Sequence, residues 1–129
     1  NRKKKKVICI DGDGAVLMHM GTLPTIARHN PSNMVHIVLN NDAHESVGGM
    51  ATCAPGLSIA EVAKASGYKE TYCVENLDSL REALRLAYNS QNVALIEVKV
   101  SMFSRKDLIR PKESAVENKE SFMTFHGLC

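Results

Sequence analysis

The chain has no tryptophan, only three tyrosines and three phenylalanines, and little net charge, since 16 Lys and Arg stand against 14 Asp and Glu for a formal +2. These scarcities weigh against nucleic acid as a partner, because a protein that reads a phosphate backbone repeats basic side chains along a face with aromatics interleaved. Much of the basic excess is confined to Arg2–Lys6, a solvated lead-in to a strand. Cysteine is also sparse. Cys9, Cys53, Cys73 and Cys129 lie far apart, without the CxxC pairs or histidine spacing of a zinc site. Cys9 and Cys73 fall inside apolar runs, where a reduced thiol acts as a small hydrophobe, and a cytoplasmic location is expected from that. No apolar stretch approaches the roughly 20 residues that cross a bilayer, and no apolar secretion core opens the chain, so no membrane partner is expected.

What is present fits one domain: 129 residues with 44% hydrophobic content support a single modest core. Val7–Ile10 is a β-branched apolar run of the kind buried on both faces of a parallel sheet. Val16, Met20, Leu23 and Ala27 recur at helical spacing up to about His29, with Pro24 expected to kink or divide that helix. Strands are predicted at Met34–Leu39, Glu70–Val74 and Val93–Val100. Helices are predicted over 59–66, capped by Ser58 with Glu61 completing a capping box, and from Asn76 to about Tyr88, with Leu77, Leu80, Leu84 and Ala87 as its apolar stripe. Strands alternating with helices predict an α/β three-layer sandwich around a mostly parallel sheet. Residues 101–129 read as a tail ending in a surface helix over 113–125. The first residue is Asn and a strand begins almost at once, so the domain is expected to be partial, truncated at its N-terminus.

Ligands of an open parallel sheet collect beyond the carboxyl ends of its strands. Ile10 runs into Asp11-Gly12-Asp13-Gly14, where glycines permit close backbone approach and the amides that follow attract an anion such as a diphosphate. Asp13 would repel that anion unless a divalent cation lay between them. Leu39 runs into Asn40-Asn41, and an amide oxygen there offers a second hard ligand without adding charge. The loop over 41–58 is too long and polar to be an idle connection.

GDG followed one helix and one strand later by NN resembles the thiamine-diphosphate fold motif. That resemblance implies Asp13, the Asn41 side chain and the Ala43 carbonyl as Mg2+ ligands, and Gly12, Gly14, Ala15 and Ser46 as neighbours of the cofactor. The stretches IDGDGAVLMHMG, HIVLNNDAHESVGGMATCAPG, SRKDLIRP and ENKESFMTF are similar to the 2-oxoacid decarboxylases of the phosphonopyruvate type. Pro24 and Lys112-Glu113-Ser114 depart from that pattern. The resemblance implies the C-terminal diphosphate-binding domain of a thiamine-diphosphate-dependent enzyme that converts 3-phosphonopyruvate to phosphonoacetaldehyde and CO2, supplying the Mg2+ and diphosphate half of its site. It also implies a partner, a pyrimidine-binding domain of the same enzyme or a second subunit, without which this chain is expected to be inactive. Self-association through the uncovered first strand makes a homo-oligomer the expectation. A sulfopyruvate decarboxylase subunit is the nearest alternative.

Other readings weigh less. Asp11 and Asp13 also match the DxD of haloacid-dehalogenase-type phosphatases, but Ala15 stands where that family has Thr or Val, and no downstream Asp pair follows. A cofactor-binding module without catalysis of its own is the third class. His44 has the chemistry of a proton donor near neutral pH. Arg105, Arg110 and Lys112 are cations suited to the substrate phosphonate, against their plainer role in a solvated basic tail. His19 and His36 read as surface or packed residues.

Overall fold

The computed structural model describes residues 5–103, 105, 107–109 and 111–127. The chain runs β1 (Val7–Gly12), α1 (Asp13–Met18), α2 (Thr22–His29), β2 (Met34–Asn40), β3 (Ala43–His44), β4 (Met50–Ala51), α3 (Ile59–Ala65), β5 (Glu70–Val74), α4 (Leu77–Asn89), β6 (Ala94–Lys99) and α5 (Ala115–Phe125). The four apolar runs form one parallel sheet ordered β1-β2-β6-β5. Travel across the sheet goes outward from β1 through β2 to β5 and then returns to β6. Right-handed crossovers therefore require α4 to lie on the face opposite α1, α2 and α3. The buried residues divide that way. Val16, Leu23, Val38, Ile59, Ala63 and Leu95 form one cluster, while Val35, Ile37, Ala83, Ala87 and Ile96 form the other. This is the expected three-layer α/β arrangement.

Local sequence explains most boundaries and corrects some expectations. The first helical stretch is divided at His19–Gly21, ahead of Pro24. Pro24 occupies the first turn of α2, where an amide has no intrahelical acceptor, so the ring is accommodated there. Leu23 remains fully buried and Met20 and Ala27 pack around the same cluster. The side chain of Ser58 caps α3 by accepting from Glu61 N at 3.2 Å, but Glu61 does not return the bond; its carboxylate lies 4.0 Å from Lys64 Nζ. The reciprocal capping box is found instead on α5, between Ser114 and Glu117. In α4 the stripe is carried by Leu80, Ala83, Leu84 and Ala87, whereas Leu77 is 68% exposed in the first turn, beyond the sheet's reach.

The largest departure concerns β1. A continuous apolar run predicts burial on both faces, yet Ile8 and Ile10 are 53% and 63% exposed. β1 is an edge strand, and α4 packs against β5 and β6 without reaching it. Cys73 is exposed as well, because β5 forms the opposite edge. The long loop is folded: β3 and β4 pair antiparallel around a 3-10 turn at Glu45–Val47. Among the described residues, no helix is long and apolar enough to cross a membrane.

Candidate functional site

Register brings the two motifs together. Gly12 pairs with Leu39 across β1 and β2, so Asp13 and Asn40 emerge one residue later from adjacent strand ends. A cleft of about 600 Å3 opens there. Gly12, Asp13, Gly14 and Ala15 line one wall, and Asn41, Ala43, His44 and Ser46 line the other. Every residue expected to contact metal or diphosphate thus faces one cavity. Met18, Leu39, Val100 and Phe103 add apolar surface.

Asp13 is 2% exposed, and its Oδ2 accepts a hydrogen bond from Thr52 Oγ1 at 2.6 Å. No hydrogen bond among the described residues engages Asp13 Oδ1. Asn41 Oδ1 accepts from Ala43 N at 3.1 Å, and its Nδ2 donates to Glu45 Oε2 at 3.1 Å, so the amide oxygen is oriented by the turn that follows. Asn40 does the same one residue earlier, its Oδ1 accepting from Asp42 N at 3.1 Å. Asp42 is held at φ 59°, a left-handed conformation that Asp and Asn tolerate best among side-chain-bearing residues. One carboxylate, one amide oxygen and a backbone carbonyl are hard donors, suited to Mg2+ and unsuited to a soft metal. A Cβ at Gly12 would meet nothing within 4 Å, which leaves the backbone open to a phosphate.

Gly14 has a nearer reason to be glycine than anion approach. A Cβ there would lie 2.3 Å from Cε1 and 2.5 Å from Nδ1 of His44, so the imidazole occupies the space that a side chain would take. His44 is thereby fixed beside the first turn of α1. Ser46 is exposed on the cleft rim.

Neither Arg105 nor Lys112 lines this cavity. Arg105 is exposed and pairs with Asp107 at 3.3 Å, Lys112 is exposed, and Arg110 lies outside the described residues. His19 is exposed. His36 is 3% exposed on β2, with Nε2 2.9 Å from Asp11 Oδ2 and Nδ1 3.3 Å from the Tyr68 hydroxyl. Asp11 therefore turns toward His36 and the thiol of Cys9, which donates to it at 3.7 Å, and away from the cleft. The phosphatase alternative loses its nucleophile on this geometry. Burial and then the Asp11 carboxylate push the Cys9 thiol up; burial, with Cys9 and Asp11 adding to it, pushes the Tyr68 hydroxyl up. Both stay protonated at neutral pH and pack as polar core.

Sequence reasoning did not single out Thr52, and no spacing marks it. It lies in the loop recognised as functional, but a threonine there carries no motif. The structural part of Asn40 was likewise hidden behind its neighbour Asn41.

Residues 1–98 match the model of the thiamine pyrophosphate enzyme family, C-terminal TPP-binding domain. The chain is 36% identical to phosphonopyruvate decarboxylase of Streptomyces viridochromogenes over 94% of its own length and 30% of the relative's. It is 33% identical to sulfopyruvate decarboxylase subunit beta of Methanocaldococcus jannaschii, over 78% of this chain and 54% of that one. The crystal structure of a putative thiamin diphosphate-dependent enzyme from Mycobacterium smegmatis superposes with a TM-score of 0.64 at 28% identity, covering 74% of this chain and 18% of the other. The chain thus spans less than a third of the phosphonopyruvate decarboxylase it matches.

Proposed function

The chain belongs to the thiamine pyrophosphate enzyme family through its C-terminal TPP-binding domain, and on that premise we propose that it supplies the magnesium and diphosphate half of a 2-oxoacid decarboxylase site. The substrate in this reading is 3-phosphonopyruvate, and the products are phosphonoacetaldehyde and CO2. The likeness to a phosphonopyruvate decarboxylase supports that choice. The observation that carries the reading is the single cleft shared by the ends of β1 and β2, where Asp13 and Asn41 face each other's loops.

In this reading Asp13, the Asn41 amide oxygen and the Ala43 carbonyl hold Mg2+. The amides of Gly14 and Ala15 lie in the first turn of α1 without intrahelical acceptors, and they bind the diphosphate, with Gly12 and Ser46 beside it. Thiamine diphosphate, when bound, supplies the electron sink for decarboxylation. His44, packed against Gly14, holds a proton near that cofactor for delivery to the product carbon. Arg105 and Arg110 are the tail cations for the phosphonate; Arg105 would first exchange its bond to Asp107 for the substrate. The pyrimidine half of the site comes from another domain or a second subunit. The likeness to a sulfopyruvate decarboxylase subunit beta supports the latter architecture, and with it sulfopyruvate as the second substrate reading.

Calorimetric titration with thiamine diphosphate, with and without Mg2+, tests the site. Binding by an assembly of this chain with a pyrimidine-binding domain is expected to require Mg2+ and to be lost in Asp13→Ala and Asn41→Ala. Metal-independent binding, or binding untouched by both substitutions, overturns the assignment. Competition between phosphonopyruvate and sulfopyruvate for turnover by the same assembly separates the two substrates.

A further inference from the structure

The central strand β6 carries an ionisable group that none of the preceding roles uses. Glu97 has no solvent exposure and sits between the buried Ile96 and Val98. A carboxylate in that position is tolerated only when donors surround it. Four do so here. Oε1 accepts from Asn40 Nδ2 at 2.8 Å and faces Lys99 Nζ at 2.9 Å, while Oε2 accepts from Ala60 N at 2.9 Å and Ser58 Oγ at 3.4 Å.

These partners form a directed path. Because Glu97 accepts from the Asn40 amide nitrogen, the Asn40 oxygen is turned to accept from Asp42 N, closing the turn around Asn41 with Asp42 left-handed. Asp42 O then accepts from Thr52 N at 3.0 Å, and Thr52 Oγ1 donates to Asp13 Oδ2. The orientation of a buried carboxylate is thereby carried to both sides of the cleft. The other carboxylate oxygen ties the N-terminus of α3 to the same point.

We propose that Glu97 is a positioning residue for the metal and diphosphate site: it fixes the Asn40 amide so that the turn over residues 40–43 presents Asn41 and Ala43 in ligating geometry before the cofactor arrives. This rests on the cofactor-site reading above. Glu97 itself touches neither metal nor diphosphate, being buried beneath the turn.

The test uses donor and acceptor polarity. Glu97→Gln replaces one acceptor oxygen by a donor, which confronts either Asn40 Nδ2 or Ala60 N; the Asn40 amide relieves the first clash only by flipping, and flipping aims a donor at Asp42 N. Asn40→Asp added to Glu97→Gln restores the pattern: the amide introduced on β6 donates to the carboxylate introduced on β2, and that carboxylate still accepts from Asp42 N. Each form, assembled with a pyrimidine-binding domain, is titrated with Mg2+ at fixed thiamine diphosphate by calorimetry, and its melting temperature is recorded without cofactor. The expected result is a Mg2+ midpoint raised at least tenfold in Glu97→Gln and returned to within about threefold of wild type in the double variant.

A Glu97→Gln protein with a lower melting temperature but an unchanged Mg2+ midpoint overturns the proposal, since Glu97 would then only stabilise the fold. If Glu97→Gln does not fold, the double variant decides, because a folded double variant with a midpoint still raised tenfold also overturns it. Failure of the wild-type assembly to bind thiamine diphosphate with Mg2+ overturns the cofactor-site reading, and this proposal with it. Wild-type binding alongside an unaltered Glu97→Gln midpoint overturns this proposal alone.

Discussion

Thr52 Oγ1 donates to Asp13 Oδ2 at 2.6 Å, joining the long loop to the first residue of α1. The same hydroxyl accepts from Ala54 N at 3.2 Å, so it is committed on both sides. Thr52→Val keeps the shape and removes the donor. A hydrogen bond to a charged group is worth about 1.5–3 kcal/mol, and a roughly tenfold or greater loss of Mg2+-dependent cofactor affinity is expected by calorimetry. Thr52→Ser should retain most of it.

Gly14 and His44 are coupled by volume. Gly14→Ala puts a methyl group 2.3 Å from the imidazole, and overpacking of this kind costs about 1–3 kcal/mol. The melting temperature should fall accordingly. In a Gly14→Ala, His44→Ala double variant the clash is gone, so thermal unfolding should show most of the stability recovered; additive losses would mean that the two residues are not in contact. If His44 holds the proton in the proposed reaction, turnover stays low in the double variant despite its stability.

Acid should weaken the protein through Glu97. Burial pushes this carboxyl up, but the bonds from Ala60 N, Lys99 and Asn40 outweigh burial and leave it below the ordinary 4.5. A folded value below the unfolded one means that the contribution to stability is complete above about pH 4.5 and is lost as the pH falls through the lower folded value. As the pH falls below about 4.5 the melting temperature of wild type should therefore drop more steeply than that of Glu97→Gln. Parallel slopes would exclude Glu97 as the titrating group.

Among the described residues no strand pairs with the outer edge of β1, and Val7, Ile8 and Ile10 of that strand are more than half exposed. Such an edge recruits another strand or chain. Sedimentation velocity on the chain alone should show concentration-dependent association, reduced by Ile10→Lys. A monomer at every concentration would remove homo-oligomerisation through this edge from consideration.

The order of elements and the two cofactor motifs were legible because they depend on local patterns: β-branched runs, helical spacing, glycines after a strand. That both motifs lie at the carboxyl end of the sheet follows once both runs are parallel strands of it, but the register that pairs Gly12 with Leu39 and brings Asp13 to Asn41 does not. What escaped is set by distant partners. An apolar run does not state how many neighbours its strand will have, so the exposure of Ile8 and Ile10 was invisible, as was that of Cys73 on the other edge. The site residues that were missed, Thr52 and Glu97, act through bonds spanning 39 and 57 positions respectively, and their types fit a loop and a strand without any role at all. His44 was picked out for its chemistry, but its packing on Gly14 was not, since the two belong to different motifs.

The reversal of travel between β5 and β6 separates two kinds of mutational history. α4 lies across the sheet from the cleft, and its outward positions, including the Asp78–Arg81 and Glu82–Arg85 pairs, are solvent-exposed. Substitutions there can accumulate by drift without passing through the chemistry. The layer formed by α1 and α3 has no such latitude, because both helices begin on residues that shape the cleft or its support. Among descendants of such a domain, divergence should concentrate on one side of the sheet, and a lineage could rebuild that side as an attachment surface while leaving its cofactor machinery untouched.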